Sequence, residues 1–419
     1  MESLLDFRRE SARLVAGLTR WLGAGRLDLA EDAAQEALVR ALHQWPTRGV
    51  PPSPSGWLMR VARNAAVDRL RREGIYAPEV EASDLEAPIP EMDGLPDDEL
   101  RMLFLCVHPC LPIGSQIALT LKVVCGLGIR EIARGLVMSE EAVSRRITRA
   151  KLRLAEAGAE FSIPVGDDAE RRLEVVRRVL YLMFNEGYVS ASGEALTNAD
   201  VCAEALDLAR RLSDTQIGDA PETHALVALM LLHTSRLPSR VGPNGELRLL
   251  QDQDRSLWSH PCISAGLNRL CRAAQGDRLS RYHAEAAIAA CHATARDFDS
   301  TDWPMVLQHY DDLVVLTSSP IVRLNRAMAV SMAEGPSAAM AIVQSLAKEP
   351  KLARYVPFFA SLAQLHERLG EILAARAAYV RALGVATNHA ERAFLIERLA
   401  RLDLVLEGAT QTEVENPDR

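Results

Sequence analysis

The chain has 419 residues, which is enough for about two to four domains. Hydrophobic residues make up 48% and charged residues 25%, a balance that excludes wholesale disorder, a collagen-like rod and a disulfide-dense miniprotein. Aromatic residues are scarce at 5% and unbranched helix formers are common, so we expect an all-α fold.

The net charge of −8 is unevenly distributed along the chain. Residues 1–73 carry 12 basic and 9 acidic residues, and residues 100–160 carry 9 basic and 5 acidic ones. Residues 74–99 between them carry 9 acidic residues and no basic one. Because salt screens charges over roughly 8 Å, local basic patches decide nucleic-acid binding more than the acidic total does. Two basic modules joined by an acidic tether are therefore compatible with a nucleic-acid partner.

The sequence predicts a cytoplasmic protein with no membrane association. No window approaches the roughly 18 consecutive apolar residues that cross a bilayer. The first six residues alternate charged and apolar side chains too early for a signal peptide. Seven cysteines, an odd number scattered along a long chain, are typical of reduced thiols.

Residues 1–73 are predicted to form the first helical module. Apolar residues recur at i, i+4 and i+8 at Leu14, Leu18 and Leu22. A proline-rich break at residues 50–56 precedes a second helical pattern that starts near Trp57. Residues 74–98 lack periodicity and contain four prolines, so we expect an acidic flexible linker there.

Residues 99–160 are predicted to form a second module with a helix-turn-helix. A short amphipathic helix over residues 129–136 is followed by a tight turn, and Ser139 is predicted to cap a second helix. On that second helix we expect one narrow apolar stripe to face the core, consisting of Val143, Ile147, Ala150 and Leu154.

The same helix carries polar and basic residues on a separate arc, which are Ser144, Arg145, Arg146, Arg149 and Arg153. Guanidinium groups on one face reach DNA phosphates or guanine edges, so this pattern favours a basic recognition helix. A solvated arginine-rich surface helix has the same spacing, and the spacing alone does not separate the two.

Residues 57–72 form the other basic stretch. Arg60, Asn64 and Arg71 share one side of the predicted helix, a combination suited to unpaired bases, which are held by stacking and edge contacts. Trp57 has a second interpretation, as a core aromatic residue at the start of a helix.

Residues 166–409 show helix after helix, interrupted by glycine and proline. Large and small residues from Phe359 to Ala382 have the spacing of a tetratricopeptide (TPR) repeat, in which small residues let paired helices approach closely. An irregular array of α-helical hairpins is the alternative. Residues 410–419 form a polar tail that is predicted to fray.

Several motifs together resemble the extracytoplasmic-function (ECF) sigma factors of bacterial RNA polymerase. Residues 32–36, 56–58 and 62–72 resemble region 2 of that family, and residues 131–133 with 143–154 resemble region 4. The order of the motifs, the sizes of the modules and the acidic linker agree as well. The resemblance to these two regions covers about residues 1–158.

The resemblance implies a sigma factor that binds core RNA polymerase and directs promoter-specific transcription. The residues that match the acidic helix docking on the β′ clamp helices are Asp32, Gln35 and Glu36. Those on the helix that melts and reads the −10 element are Arg60, Asn64, Asp68, Arg69, Arg71 and Arg72. Those on the helix that enters the major groove of the −35 element are Ser144, Arg145, Arg146, Arg149 and Arg153. The implied partners are the β′ clamp helices and β flap of the polymerase, and both promoter elements.

The third region resembles a sigma-factor subgroup with a large C-terminal helical-repeat domain. Residues 180–188 and 249–258 carry this match, and the second segment contains the motif residues Asp252, Gln253, Asp254, Arg255 and Trp258. The resemblance implies that the appended domain regulates or enables activity, with a regulatory protein as its partner. From the residues alone, the two aspartates and the arginine form either a buried ion-pair hinge or a helix cap. We also expect residues 161–419 to pack against one or both basic modules.

Other chemistries have less support in the sequence. Cys106, His108, Cys110 and Cys125 lack the spacing of a structural zinc site, so we expect buried thiols and no metal. No phosphate-binding Gly-Lys-Ser/Thr loop or Gly-x-Ser-x-Gly elbow occurs, and the histidines are isolated. We therefore expect no enzyme and no cofactor. The alternative function is a helical-repeat interaction scaffold with a conventional helix-turn-helix DNA-binding module.

Overall fold

The computed structural model describes residues 7–74, 95–136, 138–164, 166–188, 199–240, 242, 248–386 and 389–415. These residues form α-helices and short 3₁₀ turns and contain no β-strand, which confirms the all-α expectation. They fall into two compact units. The first unit lies within residues 1–186 and 203–218, and the second lies within residues 187–202 and 219–419.

The first module of the first unit consists of three helices and a 3₁₀ turn at Ala24–Arg26. The helices are α1 (Phe7–Leu22), α2 (Leu27–Arg48) and α3 (Pro54–Arg72). One face of α2 is lined by fully buried alanines, which are Ala30, Ala34, Ala37 and Ala41. Because these side chains are small, α1 and α3 pack closely against α2.

The second module begins with α4 (Leu95–Cys106). Residues 75–94 of the expected flexible linker lie outside the described residues, and its last four residues, 95–98, belong to a helix instead. The physical reason is that Asp98 is buried and forms ion pairs with Arg20 at 3.5 Å and Arg101 at 3.0 Å. An acidic residue near this boundary is therefore part of the folded structure.

The predicted helix-turn-helix is present in the second module. It follows α5 (Ile113–Val123) and consists of α6 (Ile129–Gly135) and α7 (Glu140–Glu156). The expected apolar stripe of α7 is buried, and its residues are Val143, Ile147, Ala150 and Leu154. This stripe packs against α5 and α6, which confirms the predicted orientation of the helix.

Two further helices contribute residues to the first unit. These are α8 (Asp167–Tyr188), up to residue 186, and α9 (Ala199–Ser213), from residue 203. Arg172 of α8 donates a hydrogen bond to the backbone oxygen of Phe104 in α4 at 3.3 Å. Helices that the sequence grouped with the C-terminal domain thus lie in the same compact unit as the two basic modules.

The second unit is a succession of helices with 3₁₀ turns between some of them. The helices are α10 (Pro221–Thr234), α11 (Leu237–Arg240), α12 (His260–Ala273), α13 (Arg281–Thr294), α14 (Trp303–Thr317), α15 (Pro320–Ala333), α16 (Pro336–Ser345), α17 (Val356–Arg368), α18 (Ile372–Val385) and α19 (His389–Glu415). Helix α10 is buried on all sides from Thr223 to Leu232 and packs against α12 and α13. A helix that is apolar all round is typical of a domain centre.

From α13 onward each helix packs on the next one along the chain. Helices α17 and α18 form a hairpin whose buried positions include Phe359, Ala363, Ala375, Tyr379 and Ala382, the residues with the large and small spacing noted in the sequence. The C-terminal domain is therefore helical, and its assignment to the TPR class stays a prediction.

Candidate nucleic-acid interface

The interface in the second module is built on α7. Ser139 precedes the helix in extended conformation, and its Oγ accepts a hydrogen bond from the backbone N–H of Ala142 at 3.2 Å, which confirms the predicted cap. Glu140 and Glu141 occupy the first turn, where the positive end of the helix dipole favours carboxylates. These local features set the residue at which α7 begins. In the resulting helix the basic arc points away from the core.

The basic arc of α7 faces solvent. Its exposed members are Ser144, Arg145, Arg149 and Arg153, and Arg146 is half-buried. Arg145 pairs with Glu141 one turn earlier, with 2.7 Å between Nη1 and Oε1, and both side chains are exposed. An exposed pair of this kind contributes only about 0.3–0.5 kcal/mol, so it opens readily when a phosphate competes for the guanidinium.

A cleft of about 420 Å³ lies beside the basic arc, between α7 and the start of α5. Its walls include the four arginines of α7 together with Pro112, Gly114 and Ser115. A Cβ on Gly114 would lie 2.8 Å from Nη1 of Arg146, so a larger residue here would shift this guanidinium from its present position. Since the N-terminus of α5 adds the positive end of its dipole, the cleft is electropositive on both sides and suits an anionic phosphate.

The predicted DNA-binding residues of α3 are all exposed, and they are Arg60, Asn64, Asp68, Arg69, Arg71 and Arg72. The other side of this helix is buried in the core of the first module through Leu58, Ala62, Ala66 and Leu70. Packing of the apolar side thus leaves the polar side of α3 available to a nucleic acid.

Arg69 of α3 forms an ion pair with Asp32 of α2, with 2.6 Å between Nη1 and Oδ2. The sequence assigns Asp32 to polymerase binding with Gln35 and Glu36, which are also exposed, and assigns Arg69 to DNA binding. The structure brings Asp32 and Glu36 together with Arg69 and Arg72 in one cleft of about 380 Å³. The two predicted surfaces of the first module therefore adjoin.

An aromatic cluster lies at the edge of the first module. Trp57 is half-buried, and its ring centroid lies 5.6 Å from that of Trp45, which favours the packing interpretation of this residue. Nearby, the guanidinium of Arg63 lies 5.1 Å from the ring centroid of the exposed Trp21. No pattern in the sequence indicated this planar pair. Arg63 lies between Arg60 and Asn64 on the helix already singled out, but only the tertiary structure places Trp21 beside it.

Glu99 forms ion pairs although its side chain is only 3% exposed. Among the described residues of the first unit, no other acidic side chain in an ion pair is as deeply buried. Arg13 of α1 donates its Nε to Oε1 at 3.1 Å, and Arg211 of α9 donates its Nη2 to Oε2 at 2.6 Å. Burial disfavours the charged form of Arg13, but Glu99 and Glu10 outweigh this effect and raise the pKa of Arg13 above its ordinary value. The sequence placed Glu99 at the end of the acidic stretch and missed this junction of α1, α4 and α9.

Lys151 of α7 is 14% exposed and pairs with Asp28 at 2.6 Å and with Glu31, both on α2. Burial opposes the charged form of Lys151, but the two carboxylates outweigh it and raise its pKa. Arg8 of α1 and Glu131 of α6 form a further ion pair at 3.0 Å. The helix-turn-helix is therefore connected to the first module by pairs of opposite charge.

The motif of the second unit is a turn rather than a hinge. Oδ1 of Asp254 accepts a hydrogen bond from the backbone N–H of Ser256 at 2.9 Å, which confirms the cap interpretation. The ion-pair interpretation is wrong, because Arg255 donates instead to two backbone carbonyl oxygens at the end of α13, at 2.5 and 2.7 Å. Asp252 is exposed, whereas Gln253 and Trp258 are buried.

The described residues contain no group of three or more side chains that could hold a metal ion. Cys106 and Cys125 are buried, and burial raises the pKa of both thiols, so they are protonated at neutral pH. Within the described part of the chain, no helix combines the length and apolar character needed to cross a membrane.

The exposed arginines of the helix-turn-helix, the cleft beside them and the polar side of α3 define an all-helical DNA-binding protein with two modules. Residues 7–75 match the sigma-70 region 2 family, residues 101–154 match the sigma-70 region 4 family, and residues 172–274 match a family of unknown function, DUF6596. No solved structure matches the chain.

Two relatives illustrate these matches. An uncharacterised protein of Rhizobium meliloti (strain 1021) is 43% identical over 398 residues, which cover 93% of both chains. ECF RNA polymerase sigma factor SigM of Mycobacterium tuberculosis is 31% identical over 126 residues, which cover 30% of this chain and 62% of SigM. The chain thus belongs to the sigma-70 family as an ECF-type alternative sigma factor with a C-terminal helical extension, and it directs transcription initiation through core RNA polymerase and promoter DNA.

Proposed function

We propose that the chain, in the cytoplasm and bound to core RNA polymerase, recognises a two-part promoter with α7 and α3. It acts by binding energy alone, and no bond is made or broken on it. Arginine contacts anchor the duplex, and capture of extruded bases on the first module shifts the melting equilibrium. Sigma factor families are not enzymes, which agrees with this mechanism.

Helix α7 reads the −35 element in the major groove. The observation that carries this assignment is the row of exposed Arg145, Arg149 and Arg153 with the half-buried Arg146, which lies beside an electropositive cleft. The guanidinium groups contact phosphates from the cleft side and guanine edges from the exposed side. The remainder of the second module contacts the β flap of the polymerase.

The first module reads the −10 element and docks on the β′ clamp helices. Asp32, Gln35 and Glu36 present an exposed acidic surface on α2 that suits a basic partner. Because Asp32 is paired with Arg69, docking on the polymerase would release this guanidinium toward DNA. Polymerase binding and promoter melting are coupled through this pair.

The arrangement of the first unit is a resting state. Elements named for positions −35 and −10 lie about 25 base pairs apart, which is on the order of 80 Å of B-DNA. Lys151 of the recognition helix, however, is in direct contact with Asp28 and Glu31 of the first module. The modules must therefore separate before both elements are bound, and the ion pairs between them oppose this step.

The C-terminal helical domain regulates this separation. Arg211 of α9 supplies one of the two guanidinium groups that hold Glu99, so helices beyond the second module contribute directly to the resting arrangement. A regulatory protein that acts on the C-terminal domain would change the balance between resting and open states.

Reconstituted transcription tests the proposal. Core RNA polymerase is combined with the full chain and a library of genomic fragments, and transcript starts are mapped. We expect discrete start sites that share two upstream elements, and we expect start-site selection to depend on Arg149. If no promoter-specific transcript appears across the library, the proposal is wrong.

A further inference from the structure

The second unit contains a concentration of basic side chains that the promoter-binding surfaces do not involve. Three arginines and two histidines from three segments of the chain converge there, and we call them the basic cluster: His233, Arg236, Arg240, Arg255 and His292. His233 lies in the last turn of α10, Arg240 ends α11, and His292 lies on α13. Arg255 belongs to the motif that the sequence singled out in this region.

Two guanidinium groups of the cluster stack on one indole ring. The guanidinium carbon of Arg255 lies 4.6 Å from the ring centroid of Trp258, and that of Arg236 lies 5.6 Å from it. Trp258 is 4% exposed, and its Nε1 donates a hydrogen bond to Oγ of Ser239 at 2.8 Å. The indole is thereby held in one orientation, and it holds both guanidinium groups near each other.

A third guanidinium belongs to Arg240 and lies 3.8 Å from the ring centroid of Tyr188. Arg255 is oriented further by its Nη1, which donates to the backbone oxygen of His292. Arg236 donates its Nε to Oε1 of Gln253 at 3.3 Å. The three guanidinium groups are therefore held by aromatic rings, and Arg236 and Arg255 also by neutral hydrogen-bond acceptors.

Within the part of the chain that the structure describes, no carboxylate forms an ion pair with Arg236, Arg240 or Arg255. Asp297 acts on Arg255 electrostatically without pairing with it, and its ion pair is with Arg296 at 3.3 Å. Among the described residues, no hydrogen-bond partner is found for three buried nitrogen atoms of the cluster, Nε of Arg240, Nη2 of Arg255 and Nδ1 of His292. The cluster is positively charged and has unused donors.

The electrostatics of the cluster agree with a missing counter-charge. The pKa of Arg236 is lowered mainly by burial and also by the like charge of Arg240. The pKa of Arg255 is lowered mainly by burial and also by the like charge of Arg236. Burial and the neighbouring arginines lower the pKa of His233 to about 3 and that of His292 to about 4, so both imidazoles are neutral at pH 7. Like charges that are partly withdrawn from water are costly unless an opposite charge joins them.

We propose that the basic cluster binds a dianionic phosphate group, either inorganic phosphate or the phosphomonoester of a small molecule. Three guanidinium groups match the charge of a dianion better than that of a monocarboxylate, and the planar fork of arginine fits phosphate oxygens in a bidentate way. All three arginines are partly exposed, so a small anion reaches them from solvent. This site lies within the second unit alone and does not depend on the promoter assignments.

Isothermal titration calorimetry on the full chain tests the site in phosphate-free buffer at constant ionic strength. Inorganic phosphate and glycerol 3-phosphate are titrated separately, with acetate as the monocarboxylate comparison. We expect saturable binding with one site per chain for at least one phosphate compound and a matching rise in Tm. Tighter binding of glycerol 3-phosphate would identify a phosphomonoester as the ligand class, and equal or tighter binding of inorganic phosphate would identify the free ion.

Variants connect the binding to the cluster. R240Q removes the guanidinium that stacks on Tyr188, and we expect at least about tenfold weaker phosphate binding. R240K keeps the charge but lacks the planar fork, so it should lose less phosphate affinity than R240Q. It also tests the site if R240Q does not fold. The matched control is R296Q, because Arg296 is an arginine of the same unit that is 92% exposed, and it should bind as the unaltered chain does. The site is refuted if neither phosphate compound saturates, if acetate binds as tightly, or if R240Q and R240K bind phosphate normally.

Discussion

Lys151 and Asp28 form an ion pair at 2.6 Å that connects the recognition helix to the first module. Lys151 lies on α7 between Arg149 and Arg153, two of the arginines proposed to contact DNA. A helix held at this point to α2 cannot follow the major groove of a distant promoter element. Under the proposed function, this contact competes directly with promoter binding.

Replacing both carboxylates by amides, in D28N/E31Q, is expected to loosen this attachment. Lys151 then keeps neighbours of the same size but loses their charges, which weakens the contact by on the order of 1 kcal/mol. Spin labels at the exposed Leu42 of α2 and Leu152 of α7, in a background without exposed cysteines, measure the separation of the modules. We expect longer and broader distances in the variant.

The control for this measurement is E36Q, because Glu36 is exposed and pairs with Arg40 on its own helix. Its distance distribution should equal that of the unaltered chain. Identical distributions in D28N/E31Q and the unaltered chain would show that the ion pairs do not hold the modules together.

Substituting Arg149 by alanine is expected to weaken binding of the holoenzyme to promoter DNA. If Arg149 contacts a base, the loss is about 1–3 kcal/mol and depends on the sequence of the upstream element. If it contacts only a phosphate, the loss is similar for all sequences and the salt dependence of binding becomes less steep. Titrations of promoter fragments at several salt concentrations distinguish these results, with R296A as the exposed control, and unchanged affinity for every fragment would exclude Arg149 from the interface.

Substituting Glu99 by glutamine is expected to destabilise the first unit by on the order of 3 kcal/mol. The amide keeps the volume of the side chain but leaves Arg13 and Arg211 without their shared counter-charge. Urea denaturation of the full chain measures the change. The exposed substitution E36Q should change stability by less than about 0.5 kcal/mol, and an equally small effect of E99Q would mean that the junction contributes little.

Stability of the second unit should fall as the pH is lowered from about 6.5 toward 4. His233 and His292 have folded-state pKa values of about 3 and about 4, whereas an unfolded histidine titrates near 6.5. The unfolded chain therefore binds protons first, and each histidine costs up to about 1.4 kcal/mol per pH unit within this window and nothing above it. Urea denaturation at pH 7, 6 and 5 measures the slope.

Two variants test whether the buried histidines cause this pH dependence of stability. H292Q should make it shallower because one buried imidazole is removed, whereas substitution of the exposed His260 should leave it unchanged. An identical slope in H292Q and the unaltered chain would mean that the buried imidazole does not contribute.

The helix-turn-helix was predictable from local spacing. Ser139 caps α7 and the stripe from Val143 to Leu154 is buried as expected, because capping and helix periodicity depend on residues only a few positions apart. The end of the acidic linker was less predictable. Asp98 lies in the acidic stretch that predicted a linker, but its side chain is buried and forms an ion pair with Arg20. Because Arg20 is far away in the sequence, local composition did not indicate this pair.

The sequence by itself determined the helical class, the sigma-70 family and the solvent-facing sides of α3 and α7. Only the tertiary structure decided that Asp32 pairs with Arg69, 37 residues away in the sequence, and that Glu99 pairs with Arg211, 112 residues away. The tertiary structure also brings the residues of the basic cluster together in the second unit. The physical reason is that helix periodicity repeats within about four residues, whereas ion pairs between helices depend on how packing orients each helix against its neighbours.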